Sequence, residues 1–214
     1  VITRELTLPG FKHDPHSIIH GVFTTNPLFH RDELGLRSKY GLKYIPVDPQ
    51  LAVVFPDQRA LIFYKDIDKT CESIAQFSRR DAETYHRYVD TCRKLLHAGT
   101  WGLFSPPPTF GRLVYLLDAS DEGREVLRVI LGSAADLEED WFESEQVKIA
   151  LTRFASESMI GPQEKGTGTY ALGMVPCLHG WGFSVPEGGS GALSEALEAF
   201  IKDNGGTFRV SSPV

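Results

Sequence analysis

Cysteine is scarce in this 214-residue chain. Cys71, Cys92 and Cys177 are odd in number, far apart and free of any CxxC spacing, so the sequence writes neither a disulfide framework nor a thiolate metal cage. A reducing compartment is therefore expected, cytoplasmic by default. Positive charge is in deficit: 22 Lys and Arg face 28 Asp and Glu, for a formal net charge of −6. That balance argues against nucleic acid as a partner, because phosphate binding needs clustered cations to release counterions. Long apolar runs are also missing, and none reaches the length of a bilayer span. The opening VITRELTLPGF has neither an apolar signal core nor the Arg- and Ser-rich character of a transit peptide. Peripheral membrane contact and homo-oligomer formation stay open. There is no GxGxxG, no Walker loop, no GxSxG elbow and no internal repeat. What remains is 42% hydrophobic and 23% charged, the balance of a globular chain long enough to bury a core.

Residues 1–25 set short β-prone pieces among Pro9, Gly10 and Pro15, a pattern of strands and tight turns. Asn26-Pro27 predicts the start of a short helix through Leu36, with Gly41 beyond it. Leu51–Phe55 and Ala60–Tyr64 flank Pro56-Asp57-Gln58-Arg59 as a hairpin. From Ile67 the apolar period lengthens to three and four residues. It predicts helices through Phe77, from Ser78 past Leu96, and, after the Pro106-Pro107-Pro108 break, over Phe110–Leu117, Glu122–Leu131 and Glu145–Phe154. Met159–Gly189 carries so much glycine beside Tyr170, Trp181 and Phe183 that a chain passing close to something flat or bulky is expected. Ser190–Asp203 predicts a helix stopped at Asn204-Gly205-Gly206, followed by a strand from Thr207 to Val210. The fold class is α+β, a sheet with a helical lobe.

Three polar groupings invite chemistry. His13 and His16 around Asp14-Pro15 can be metal ligands, a cofactor- or substrate-facing turn, or polar surface of an Asx-type turn. Pro186-Glu187-Gly188-Gly189-Ser190-Gly191 places glycines where a helix begins; its free amides can take an anion, and close backbone packing explains the same glycines equally well. Glu138, Glu139, Asp140 and Glu143 around Trp141 and Phe142 could pair carboxylates for acid–base chemistry, but such a run reads as a solvated helical face, and Tyr64, Tyr85 and Tyr88 read as core.

Several separated stretches also resemble, in order, the phytoene-dehydrogenase-like FAD-dependent oxidoreductases. They are Thr3-Arg4-Glu5-Leu6-Thr7-Leu8-Pro9-Gly10-Phe11-Lys12-His13-Asp14, Tyr40-Gly41-Leu42, Phe55-Pro56-Asp57, Gly166-Thr167-Gly168-Thr169-Tyr170, and the run from Pro186 to Leu197. The resemblance spans essentially the whole chain. It implies a split FAD domain interrupted by a substrate domain, with hydride passing from a lipophilic substrate to flavin N5. On that footing residues 1–25 are a remnant of the FAD domain, 26–185 the substrate domain, and 186–214 the return into the FAD domain.

The resemblance further implies that Thr3 and Arg4 lie near the ribityl–pyrophosphate and that Asp14 and His16 sit in the flavin-facing turn. Gly188 and Gly189 let a helix approach the cofactor, and Val214 opens the strand that meets the adenine. His179, Trp181 and Phe183 wall the substrate pocket. No catalytic residue and no metal ligand is assigned. The sequence departs from the pattern in lacking the glycine-rich βαβ unit and the acidic ribose residue, so a fragment of a longer enzyme is expected. The alternative is a non-catalytic module that keeps the pocket for a lipophilic ligand or a protein partner.

Overall fold

The structure is a computed structural model that describes residues 2–99, 104, 106–157 and 159–212. Val214 lies outside the described residues, as does its expected adenine contact. The chain divides into two compact units, one made of Val1–Val47 with Trp181–Val214 and the other of Asp48–Gly180.

Along the chain, β1 (Arg4–Glu5) pairs antiparallel with β2 (Lys12–His13), Arg4 opposite His13 and Glu5 opposite Lys12. Two single-turn helices follow, α1 (Gly21–Thr24) and α2 (Pro27–His30). Pro27 stands at the first helical position of α2, and the Asn26 side chain accepts from the Leu28 amide at 2.9 Å. Strand β3 (Tyr44–Pro46) completes the first stretch of this unit.

The second unit begins with β4 (Leu51–Val54) and β5 (Ala60–Phe63), an antiparallel hairpin with Leu51 opposite Phe63 and Val54 opposite Ala60. Gln58 takes φ +67° in its turn, and Phe55 and Arg59 close it by a backbone bond of 2.9 Å. Leu61 and Phe63 are fully buried. Seven α-helices complete the described part of the unit: α3 (Ile67–Ile74), α4 (Arg79–Gly99), α5 (Phe110–Leu117), α6 (Asp121–Leu131), α7 (Ala134–Trp141), α8 (Glu145–Ser156) and α9 (Gly168–Gly180). Asp66 caps α3, Ser78 accepts from the Asp81 amide at the start of α4, and Ser120 caps α6. Tyr85, Tyr88, Val89, Val126, Val147, Leu151, Phe154, Val175 and Leu178 form its core.

Back in the first unit, β6 (Ser184–Pro186) pairs antiparallel with β3, and α10 (Gly191–Asp203) follows. Its Leu193 and Ala196 pack with Phe29, Leu36 and Leu42 in one apolar cluster. This cluster ties residues of the 26–47 stretch to α10 within the first unit.

Within the glycine-rich stretch Gly168–Gly180 is helix α9, with Pro176 inside it. Most of α9 is buried around its circumference, so it shows no amphipathic period. A Cβ at Gly168 would stand 2.3 Å from the Val129 carbonyl oxygen, so glycine there permits close approach to α6. Residues 207–210 form no strand, and no partner strand pairs with them among the described residues.

Candidate functional site

Helix α10 begins after a reversal in which Gly188 takes φ +84° and Gly189 φ +101°, left-handed values that favour glycine. The first amides of a helix have no partner within it. Ser190, at the cap position, has helical backbone angles and no capping side-chain bond. Remote residues do the capping. The Ser190 amide donates to both Asp14 carboxylate oxygens at 3.0 and 3.1 Å, and the Gly191 amide donates to Thr3 Oγ1 at 2.8 Å. Thr3 Oγ1 in turn donates to Asp14 Oδ1 at 2.5 Å, and Ser190 Oγ donates to the Ser17 carbonyl. Burial pushes the Asp14 carboxyl up, but the bonds from Thr3 and Ser190 outweigh it and hold the group below the ordinary carboxylate range.

Thr3, Asp14 and Gly189, which sequence reasoning sends to a cofactor, thus meet one another. A Cβ on Gly189 would lie 2.4 Å from Thr3 Oγ1, so this glycine makes room for Thr3. A carboxylate already occupies the positive end of the helix. The cap therefore does not fit a pyrophosphate, which would have to displace Asp14. Gly188 differs, with no atom within 4 Å of its Cβ position, and it lines a cleft of about 380 Å³ together with Lys12, Gly191, Glu187 and Glu195. Two carboxylates and one ammonium suit hydroxyl groups better than phosphate there. Arg4 and His16 are exposed, Arg4 on β1 opposite His13. Trp181 is half exposed, whereas Phe183 is buried and its ring packs on Gly21.

In the sequence His20 follows the His13–Ser17 polar cluster with no role assigned to it. It is 6% exposed and sits edge-on to Phe23 and Tyr44, with Nδ1 2.7 Å from the Tyr44 hydroxyl. Its Nε2 is buried without a hydrogen-bond partner among the described residues. Burial lowers its pKa, against the opposing pull of the Ser17 carbonyl and the Asp14 charge, so the ring is held neutral.

In the second unit His179 is a core residue. Nδ1 lies 3.1 Å from the Lys65 carbonyl, which can only accept, so Nδ1 carries the proton. Nε2, 2.8 Å from the Tyr85 hydroxyl, then accepts from it. Both ring nitrogens are thereby engaged within the unit, and burial depresses the pKa of the ring. The acidic run divides as well. Glu139 pairs with Lys148, Asp140 with Arg128 and Glu143 with Arg80 at the surface, but Glu138 is fully buried, correcting the expectation of a wholly solvated face. The Tyr88 hydroxyl donates to Glu138 Oε1 at 2.6 Å, Oε2 has no partner among the described residues, and burial pushes the carboxyl up to about 8 against that bond. Two signals for this were in the sequence. Ser133 and Asp136 form a capping box that starts α7, and Ala134, Leu137, Glu138 and Trp141 share its apolar stripe.

Among the described residues, no group of three or more His, Cys, Asp or Glu side chains is placed to hold a metal ion, and no helix is long and apolar enough to cross a membrane.

The fold is a mixture of helices and two-stranded sheets, and no family model matches the chain. It is similar to a protein of the rat, Rattus norvegicus, called pyridine nucleotide-disulfide oxidoreductase domain-containing protein 2. The two are 26% identical over 239 aligned positions, which cover 95% of this chain and 39% of the rat protein. The chain thus spans about two fifths of the length of that relative.

Proposed function

We propose that this chain is the interrupted middle of an FAD-dependent oxidoreductase of the phytoene-dehydrogenase-like type, whose whole protein passes hydride from a lipophilic substrate to flavin. The observation that carries the reading is the discontinuity of the first unit. Its two stretches are laced together by Asp14 and Thr3 on one side and Ser190 and Gly191 on the other, and a separate compact unit is inserted between them. A cofactor domain interrupted by a substrate domain has this chain order. Similarity to an oxidoreductase-domain protein along nearly the whole chain supports the same class.

FAD, when bound, supplies the redox chemistry. The part left to these residues is binding and support. The Asp14–Thr3 cap fixes the start of α10 and leaves Gly188 facing the cleft, where Lys12, Glu187 and Glu195 can meet hydroxyl groups of a cofactor. A bound pyrophosphate would have to be held by residues other than this cap, whose amides are engaged by Asp14 and Thr3. Trp181 offers an exposed apolar face, while Phe183 and His179 serve packing within their own units.

The test is the visible spectrum of the full gene product. Flavin released on denaturation at close to one per chain is expected, and a colourless protein that takes up no added FAD removes the reading. Lys12→Ala should weaken FAD retention with unchanged circular dichroism; wild-type retention would move the cofactor away from this cleft. Gly189→Leu is a poor probe, because it collides with Thr3 and breaks the cap itself.

A further inference from the structure

Among the described residues, helices α4 and α7 meet at a single polar contact, sunk in an aromatic and aliphatic wall. Glu138 on α7 is fully buried, and Tyr88 on α4 gives its one hydrogen bond. The Tyr88 ring lies 5.4 Å from that of Trp141, 5.1 Å from Phe142 and 6.2 Å from Tyr85. The second carboxyl oxygen has no partner among the described residues. A carboxylate with one bond and one bare oxygen in such surroundings is strongly disfavoured, whereas a neutral acid tolerates them far better.

We propose that Glu138 and Tyr88 form a proton-held clasp between α4 and α7, closed while the carboxyl is protonated and opening locally once the proton is gone. Among the described residues no cation pairs with Glu138, and Arg93 of α4, whose charge is felt at Tyr85, is paired with Asp90. On α4 the titratable groups that sense Glu138 are Tyr85, Tyr88 and Cys92, all of which can only add negative charge. On α8, Lys148 is engaged with Glu139 and Glu145 and Arg153 with Glu157. On α9, His179 is bound to Tyr85 and Lys65, and Cys177 is a free thiol. Arg128 of α6 pairs with Glu125 and Asp140 at the surface.

The sign follows from linkage. The closed state binds a proton that the open state releases at the ordinary Glu value near 4.5, so closure is fully favoured below that pH. It weakens as pH rises toward about 8 and then levels off. A reporter stands beside the clasp. Cys92, one helical turn beyond Tyr88, is 2% exposed, while Cys71 on α3 is partly exposed and serves as an internal control.

The experiment is thiol alkylation, located by mass spectrometry, from pH 5 to 9 in the wild-type chain and in Glu138→Gln, with dichroism recorded alongside. The wild-type to variant ratio at Cys92 should rise by up to about tenfold per pH unit and flatten near pH 8, while Cys71 and the dichroism stay level. A flat Cys92 ratio overturns the clasp, and so does a rise shared by Cys71, which would report unfolding of the whole unit. Should Glu138→Gln fail to fold, the Cys92 to Cys71 ratio of the wild-type chain decides alone: a rise and plateau supports the clasp, and a constant ratio refutes it. This inference does not depend on the proposed FAD chemistry.

Discussion

Asp14 and Glu138 carry the same functional group into the two units and meet opposite fates. Asp14 is partly buried and receives the Ser190 amide on both oxygens and the Thr3 hydroxyl on one, at the positive end of α10. Glu138 is fully buried, holds a single hydroxyl donor and faces aromatic rings. The first is stabilised as an anion and the second as a neutral acid. Burial pushes both carboxyls up, so what separates them is the number of donors, three bonds against one.

The contrast can be broken in a definite order. The largest effect is expected at Glu138. The stability of the second unit should decline by several kcal/mol from about pH 4.5 to about 8, read by chemical denaturation, and Glu138→Gln should abolish most of that slope. Equal slopes in the two proteins would show that Glu138 is ionised throughout. Next comes His179→Ala, which empties a buried site and strands both the Tyr85 hydroxyl and the Lys65 carbonyl. A loss of about 3 kcal/mol is expected at neutral pH, and a change near zero would mean that the two groups find water instead. The smallest effect belongs to Asp14→Ala, about 1 kcal/mol from the first unit for a lost cap. Its contribution is present above the ordinary Asp value of 3.8 and is lost as pH falls through the lowered folded value, so variant and wild type should converge in strong acid. Convergence in alkali instead would reverse the assignment.

How much of this was legible beforehand varied with how local the signal was. The hairpin around Pro56–Arg59, the caps at Asn26 and Ser78 and the apolar stripe of α10 were readable, because turn chemistry and a 3.6-residue period are written in adjacent residues. Helix α9 was hidden: its glycines serve contact with α6, and a helix buried on nearly all sides has no polar face to set a period. The expected strand at 207–210 met the reverse difficulty, since β propensity forms no ladder without a partner. At the candidate site the sequence named residues that long-range contacts bring together. Thr3, Asp14 and Gly189 do converge, but upon each other, and the partner of Asp14 is 176 positions away.

The sequence by itself determined the balance of helix and short strand, the helix starts and the main apolar faces, since these rest on propensities and spacings within a few residues. Tertiary structure alone decided that residues 1–47 and 181–214 make one unit, that α10 is capped from the other end of the chain, and that one glutamate of an acidic run is sealed in the core. Each of those outcomes depends on which distant groups share a low-dielectric or amide-lined space, and a carboxyl takes its charge from that company.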